Sequence, residues 1–183
     1  PMTLTMMLTS LAIGTIITMS STHWLMAWVG LELNTLSIIP IITKYHHPRS
    51  TEATTKYFLT QAAASAMLLF ASTMNAWYTG TWDISQLTNP QACVMFTMAL
   101  AMKLGLAPLH FWLPEVLQGT SLSTALIITT WQKLAPMALM FLTHSSLNPT
   151  TLMILGLLSA LTGGWGGLNQ TQTRKIMAFS SIA

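Results

Sequence analysis

The chain has 183 residues, of which 52% are hydrophobic and only 6% charged, and its formal net charge is +3. An ordinary soluble domain carries about 25% charged residues, so too few charges remain here to cover a water-facing surface, and the composition points to a multi-span membrane protein. The seven Lys and Arg are too few and too scattered for a nucleic-acid surface. The single cysteine, Cys93, excludes an internal disulfide, has no metal spacing around it and reads as a small core residue.

Taken in chain order, apolar runs predict membrane spans over residues 3–19, 23–43, 54–77, 90–112, 122–142 and 149–165, with the start of a seventh at 176–183. Asn89-Pro90 and Asn148-Pro149 each place a capping residue before a proline at the first helical position. The fourth span is expected to break near 105–114, where Gly105, Pro108 and Pro114 interrupt the helix pattern. Pro40 and Pro136 read as plain kinks. The chain begins at Pro1 without an initiator Met, and 176–183 is less than half the length that crosses a bilayer. This predicts a fragment with its C-terminal portion missing. No basic stretch precedes the first span, so a cleaved signal peptide is not expected.

Loop charge predicts orientation. The second connection holds Lys44, Arg49 and Lys56, and the sixth holds Arg174 and Lys175, whereas the first, third, fourth and fifth hold none. The N-terminus and the even connections therefore face the positive-inside compartment. Trp77, Tyr78 and Trp82 in the third connection suit an interfacial aromatic belt. Asp83 reads as a solvated loop charge and Glu115 as an interfacial one.

Glu32, Lys103 and Lys133 carry the functional expectation. A charge near the bilayer centre costs roughly 2.5–3.5 kcal/mol on insertion scales and is usually kept to move an ion or proton, or to pair with a group that does. At 1.5 Å per residue, Glu32 lies roughly 14 Å along its span, Lys133 about 17 Å and Lys103 roughly 20 Å. A Glu32–Lys103 pair with Lys133 as the next stop forms a switchable relay, because burial disfavours a lysine's charged form and a neighbouring carboxylate restores it. The alternative from the residues alone is a static interhelical pair in a structural scaffold. Broken helices beside charges are typical of transporter ion sites, and His110, beside the break, is a possible further relay group; its alternative is a buried, hydrogen-bonded histidine at a simple kink. His46 and His47 are adjacent and point to different faces, so they do not predict a metal site. Gly163-Gly164-Trp165-Gly166-Gly167 lacks the dinucleotide fingerprint and predicts close helix packing or a flexible exit instead. No cofactor or metal is expected on this chain.

Residues 28–34 (WVGLELN), 103–115 (KLGLAPLHFWLPE), 131–136 (WQKLAP) and 174–183 (RKIMAFSSIA) resemble the antiporter-like subunits of respiratory complex I. The HHPR and EATTKYFLTQA runs extend the resemblance over essentially the whole chain. It implies an all-α, polytopic membrane helix bundle with inverted five-helix repeats, each with one broken helix; the first five spans would be the first repeat. The family's acid corresponds to Glu32, its broken-helix lysine to Lys103 and its central relay lysine to Lys133. A further lysine in the second repeat would lie beyond Ala183, leaving half of a proton channel here. The resemblance implies proton translocation across the mitochondrial inner membrane, with the N-terminus in the matrix, coupled to electron transfer from NADH to ubiquinone. NADH, flavin, iron–sulfur clusters and ubiquinone would sit in other subunits. The implied partners are neighbouring membrane subunits, antiporter-like ones among them, and the lipid bilayer. A multisubunit cation/proton antiporter shares the same motifs and is the alternative within the resemblance.

Overall fold

Within a bilayer every backbone group must bond inside the protein, so apolar runs separated by short polar turns fold as helices. The computed structural model describes all of residues 1–183. Its helices are α1 (Met2–Ser20), α2 (Trp24–Ile42), α3 (Pro48–Thr79), α4 (Pro90–Leu104), α5 (Trp112–Gln118), α6 (Leu122–Thr130), α7 (Leu134–Leu142), α8 (Pro149–Leu168) and α9 (Thr173–Ile182), with single 3₁₀ turns at Ile84–Gln86 and Trp131–Lys133. The molecule is an all-helical multi-span membrane protein. α1, α2, α3, α8 and the joined segment Leu122–Leu142 are each long and apolar enough to cross a membrane.

Local chemistry sets the helix starts. Asn89 and Asn148 accept hydrogen bonds from the amides of Gln91 and Thr150, both at 3.0 Å, ahead of prolines that need no partner for a missing N–H. His47 does the same through Nδ1, accepting from the Arg49 amide at 3.1 Å. With Pro48 at the first position, α3 therefore begins at Pro48, earlier than the expected start near Thr54.

The turns alternate between the two ends of the bundle. Tyr45, His47, Gly119, Thr120 and Arg174 line one cavity, so the second, fourth and sixth connections converge. Pro1 and Lys44 line a second cavity at that end. Thr88, Ser146 and Asn148 line a groove at the opposite end. The basic residues of these turns, Lys44, Arg49 and Arg174, thus gather at one end.

Two apolar clusters form the core. One joins Ile38 and Ile42 of α2, Ala53 and Tyr57 of α3, and Leu113 and Val116 of α5. The other joins Trp24 and Leu31 of α2, Leu68 of α3, Phe96 and Leu100 of α4, and Ala135 of α7. On α2 the first cluster takes the C-terminal half and the second the N-terminal half; on α3 the order is reversed, as an antiparallel neighbour requires. Glu32 to Ser37 of α2 and Gln61 to Ser65 of α3 fall between the two clusters. A polar layer therefore crosses the middle of the bundle.

α1 and α2 cross most closely at two glycines. A Cβ on Gly30 would lie 2.2 Å from Thr18 Oγ1 and 2.8 Å from the Gly14 carbonyl oxygen. Gly163 and Gly166 of α8 likewise admit α9, since a Cβ there would lie 2.7 Å from the Ala183 amide nitrogen and 2.4 Å from the Phe179 ring. Small residues at such crossings let helix backbones approach and pack.

Candidate functional site

The break in the fourth span follows from its sequence. Gly105 takes the left-handed conformation at φ 77° and ends α4, a position where a side chain would be strained. Pro108 then has no N–H with which to resume a helix. The chain passes through residues 105–111 before α5 begins. Backbone freed at this depth finds partners inside the protein: the Trp112 indole donates to the Met102 carbonyl at 3.0 Å, and the Ala107 amide donates to Ser159 Oγ of α8, also at 3.0 Å. Irregular backbone is tolerated in a membrane only when satisfied in this way or wetted.

The break leaves Lys103 in the last turn of α4, 6% exposed. Its ammonium donates to Gln61 Oε1 of α3 at 3.4 Å. The expected direct Glu32–Lys103 pair is not formed. The ion pairs of the molecule are both made by Lys56, with Glu52 at 2.8 Å and Glu115 at 3.1 Å. The reason is packing: α4 runs along α3 rather than along α2, so Gln61 lies nearer to hand. Glu32 lies on α2 in the same mid-bundle layer as Gln61. It is half-buried, and its Oε1 is buried with no protein hydrogen-bond partner.

Lys133 is presented by a distortion. Proline at 136 removes an amide and crowds the carbonyl four residues before it, and the helix tightens to a 3₁₀ turn over Trp131–Lys133. Pro136 is therefore not a plain kink, whereas α2 runs on through Pro40 without a break. Lys133 Nζ donates to the Ser181 carbonyl of α9 at 2.7 Å. Its neighbour Gln132 accepts from the Tyr57 hydroxyl at 3.5 Å, and Trp131 Nε1 donates to Thr15 Oγ1 of α1 at 3.1 Å.

Tyr57 and Gln61 lie four residues apart on one face of α3. Gln61 bonds Lys103, and Tyr57 bonds Gln132, the residue before Lys133. Tyr57, Gln61 and Gln132 carry no charge that marks them in the sequence; the one available signal is a Tyr and a Gln at helical spacing within an apolar run. His110 lies in the break, 9% exposed, with its ring stacked on Phe111 at 4.5 Å between centroids. Its Nδ1 has no protein partner, and no hydrogen bond joins it to either lysine. Cys93 is half-buried, with its thiol donating to the Leu87 carbonyl at 3.7 Å. No three His, Cys, Asp or Glu side chains cluster as metal ligands.

Comparisons with known proteins agree with this architecture. The chain is 64% identical over its full length to NADH-ubiquinone oxidoreductase chain 2 of Xenopus laevis, of which it covers 53%. It is 63% identical, again over its full length, to the Salmo salar chain of the same name, of which it covers 52%. The chain thus spans about half the length of these curated relatives. A chain in the structure of respiratory complex I from Thermus thermophilus with bound aureothin superposes with a TM-score of 0.91 at 28% identity, covering 100% of this chain and 43% of that one. A chain of the Mrp complex from Dietzia sp. shares the fold with a TM-score of 0.85 at 20% identity, over 96% of this chain and 21% of that one. The family model described as NADH:quinone oxidoreductase/Mrp antiporter, TM, matches residues 21–183. The chain, with its antiporter-like bundle, its broken fourth span and its buried charges, belongs to that family.

Proposed function

We propose that this chain is part of the proton-translocating membrane arm of an NADH:ubiquinone oxidoreductase and passes protons along its mid-bundle polar layer. Glu32, Lys103 and Lys133 are the charged stations, and Gln61, Tyr57 and Gln132 bridge the two lysines. The observation that carries this reading is the state of Lys103. Its ammonium is buried, no carboxylate touches it, and its one protein partner is a neutral amide at 3.4 Å. A static ion pair would hold the lysine charged; an amide does not, so its charge can follow that of Glu32. Glu32 Oε1, His110 Nδ1 and Gln132 Nε2 are all buried without protein partners. Buried polar atoms are rarely left unbonded, which suits bridging water as the carrier between stations.

In this reading, electron transfer from NADH to ubiquinone takes place in other subunits, and the flavin, iron–sulfur clusters and quinone sit there. The convergence of Pro1, Lys44 and Arg174 at one end of the bundle supports an N-terminus on the matrix side of the mitochondrial inner membrane. The inverted-repeat organisation of the family supports assigning the segment through Leu142 to one repeat. The test is Glu32→Gln and Lys103→Met in the full-length protein within its native assembly. Both are expected to assemble and to lose coupled turnover and proton pumping. Normal coupled turnover in both would sink the proposal.

A further inference from the structure

At the basic end of the bundle a cavity of about 300 Å³ opens between α2, α3, α5, α6 and α9. Arg49, Arg174, Tyr45, Ser50 and Ser121 are among the residues that line it, and the ammonium of Lys44 stands 5.8 Å from the Tyr45 ring centroid at its side. Arg174 is half-buried and held in place, its Nη1 donating to the Gln118 carbonyl at 3.3 Å. The floor is close-packed: a Cβ on Gly119 would lie 2.5 Å from both the Arg49 carbonyl oxygen and Ala53 Cβ.

Neither arginine has a carboxylate. The chain has four Asp and Glu in all. Glu32 is in the mid-bundle layer, and Asp83 caps the 3₁₀ turn that follows α3. Glu52 and Glu115 are both bonded to Lys56; the field of Arg49 reaches Glu52, but the two form no ion pair. Two guanidinium groups therefore face one concavity with no ion-pair partner in this segment, and planar guanidinium forks match phosphate oxygens.

Depth selects the form of phosphate. α3 has 32 residues, about 48 Å of helix against roughly 30 Å of hydrocarbon. Exposed Trp77 and Tyr78 mark the interface at its C-terminal end. Its N-terminal turns, with Arg49 and Ser50, then stand in the headgroup layer of the opposite leaflet. We infer that this cavity binds the phosphate of an anionic phospholipid headgroup through Arg49 and Arg174. Basic pockets between membrane helices take such headgroups. The lipid would tie α3, α5 and α9 together, the same elements that carry Gln61, the half-helix after the break, and the Ser181 carbonyl that holds Lys133.

The test uses the full-length protein in its native assembly, delipidated and returned to phosphatidylcholine vesicles containing a photoactivatable phosphatidylglycerol. Cross-links should map to residues 42–50 and 118–121. Their yield should fall about fivefold for Arg49→Gln or Arg174→Gln and about 25-fold for both together, while the Arg49→Lys, Arg174→Lys double variant, which keeps the charge but loses the fork, should fall between wild type and the double glutamine variant. Wild-type protein without cross-links at these residues overturns the inference, as does a yield unchanged in the glutamine variants. Displacement of the label by millimolar inorganic phosphate assigns the cavity to a soluble phosphate and overturns the lipid assignment. Should the double glutamine variant fail to assemble, the wild-type map and the phosphate competition still decide. The readout is binding, so success or failure of the proton-transfer proposal does not affect it.

Discussion

Lys103 reaches Gln61 and not Glu32, and Tyr57, one helical turn from Gln61, reaches Gln132 beside Lys133. Its hydroxyl bonds Gln132 at 3.5 Å, a length at which a neutral hydrogen bond adds little stability. Tyr57→Phe keeps the ring against Trp112, 5.9 Å away, and is expected to alter stability by less than about 1.5 kcal/mol. It should nevertheless slow coupled proton transfer; an assembly that melts normally and pumps at the normal rate would remove Tyr57 from the path. The three charges were legible in the sequence because a Glu or Lys inside an apolar run is costly and rare. Gln61, Tyr57 and Gln132 were not, because Thr, Ser, Asn and Gln are common in these spans and most bond their own helix. Thr15, Thr35 and Ser65, for instance, donate to carbonyls four residues back. Only packing decides which polar side chains turn inward.

Proline acts differently in each element. In α2, Pro40 leaves the helix intact, whereas Pro136 resets the turn that carries Lys133. Pro136→Ala restores an amide donor and should return residues 131–133 to regular helix. The helix itself gains from the exchange, but the 2.7 Å bond from Lys133 to Ser181 should be lost with the change of direction. The expected outcome is unchanged or higher thermal stability with lower coupled turnover. Unchanged turnover would mean that Lys133 does not depend on the 3₁₀ turn. Gly105, Pro108 and Pro114 made the break after Lys103 legible, with a simple kink as the alternative. The 3₁₀ turn was not legible, because one proline in an apolar run looks the same whether it bends a helix or retunes it.

Across the whole molecule, the α1–α2 crossing and the charge layer are mechanically joined. Gly30 lies two residues before Glu32, and Thr15, on the packed face of α1, holds the Trp131 indole beside Lys133. Gly30→Ala puts a methyl group into Thr18 and the backbone of α1. Overpacking of this kind costs typically 1–3 kcal/mol, and here it should also displace Trp131. A fall in the melting temperature of the assembly together with reduced turnover is expected; a fall in stability alone would separate the crossing from the site. The alternation of basic and uncharged turns foretold which connections share an end. The division of the core into two apolar clusters with a polar layer between them was hidden, because it depends on antiparallel register between helices far apart in sequence. If this layer conducts protons, vesicles carrying the full-length protein in its native assembly with Lys133→Met should hold an assembled complex that has lost proton pumping. Pumping at the wild-type level would make Lys133 a structural charge anchoring α9, and the pathway through it would be wrong.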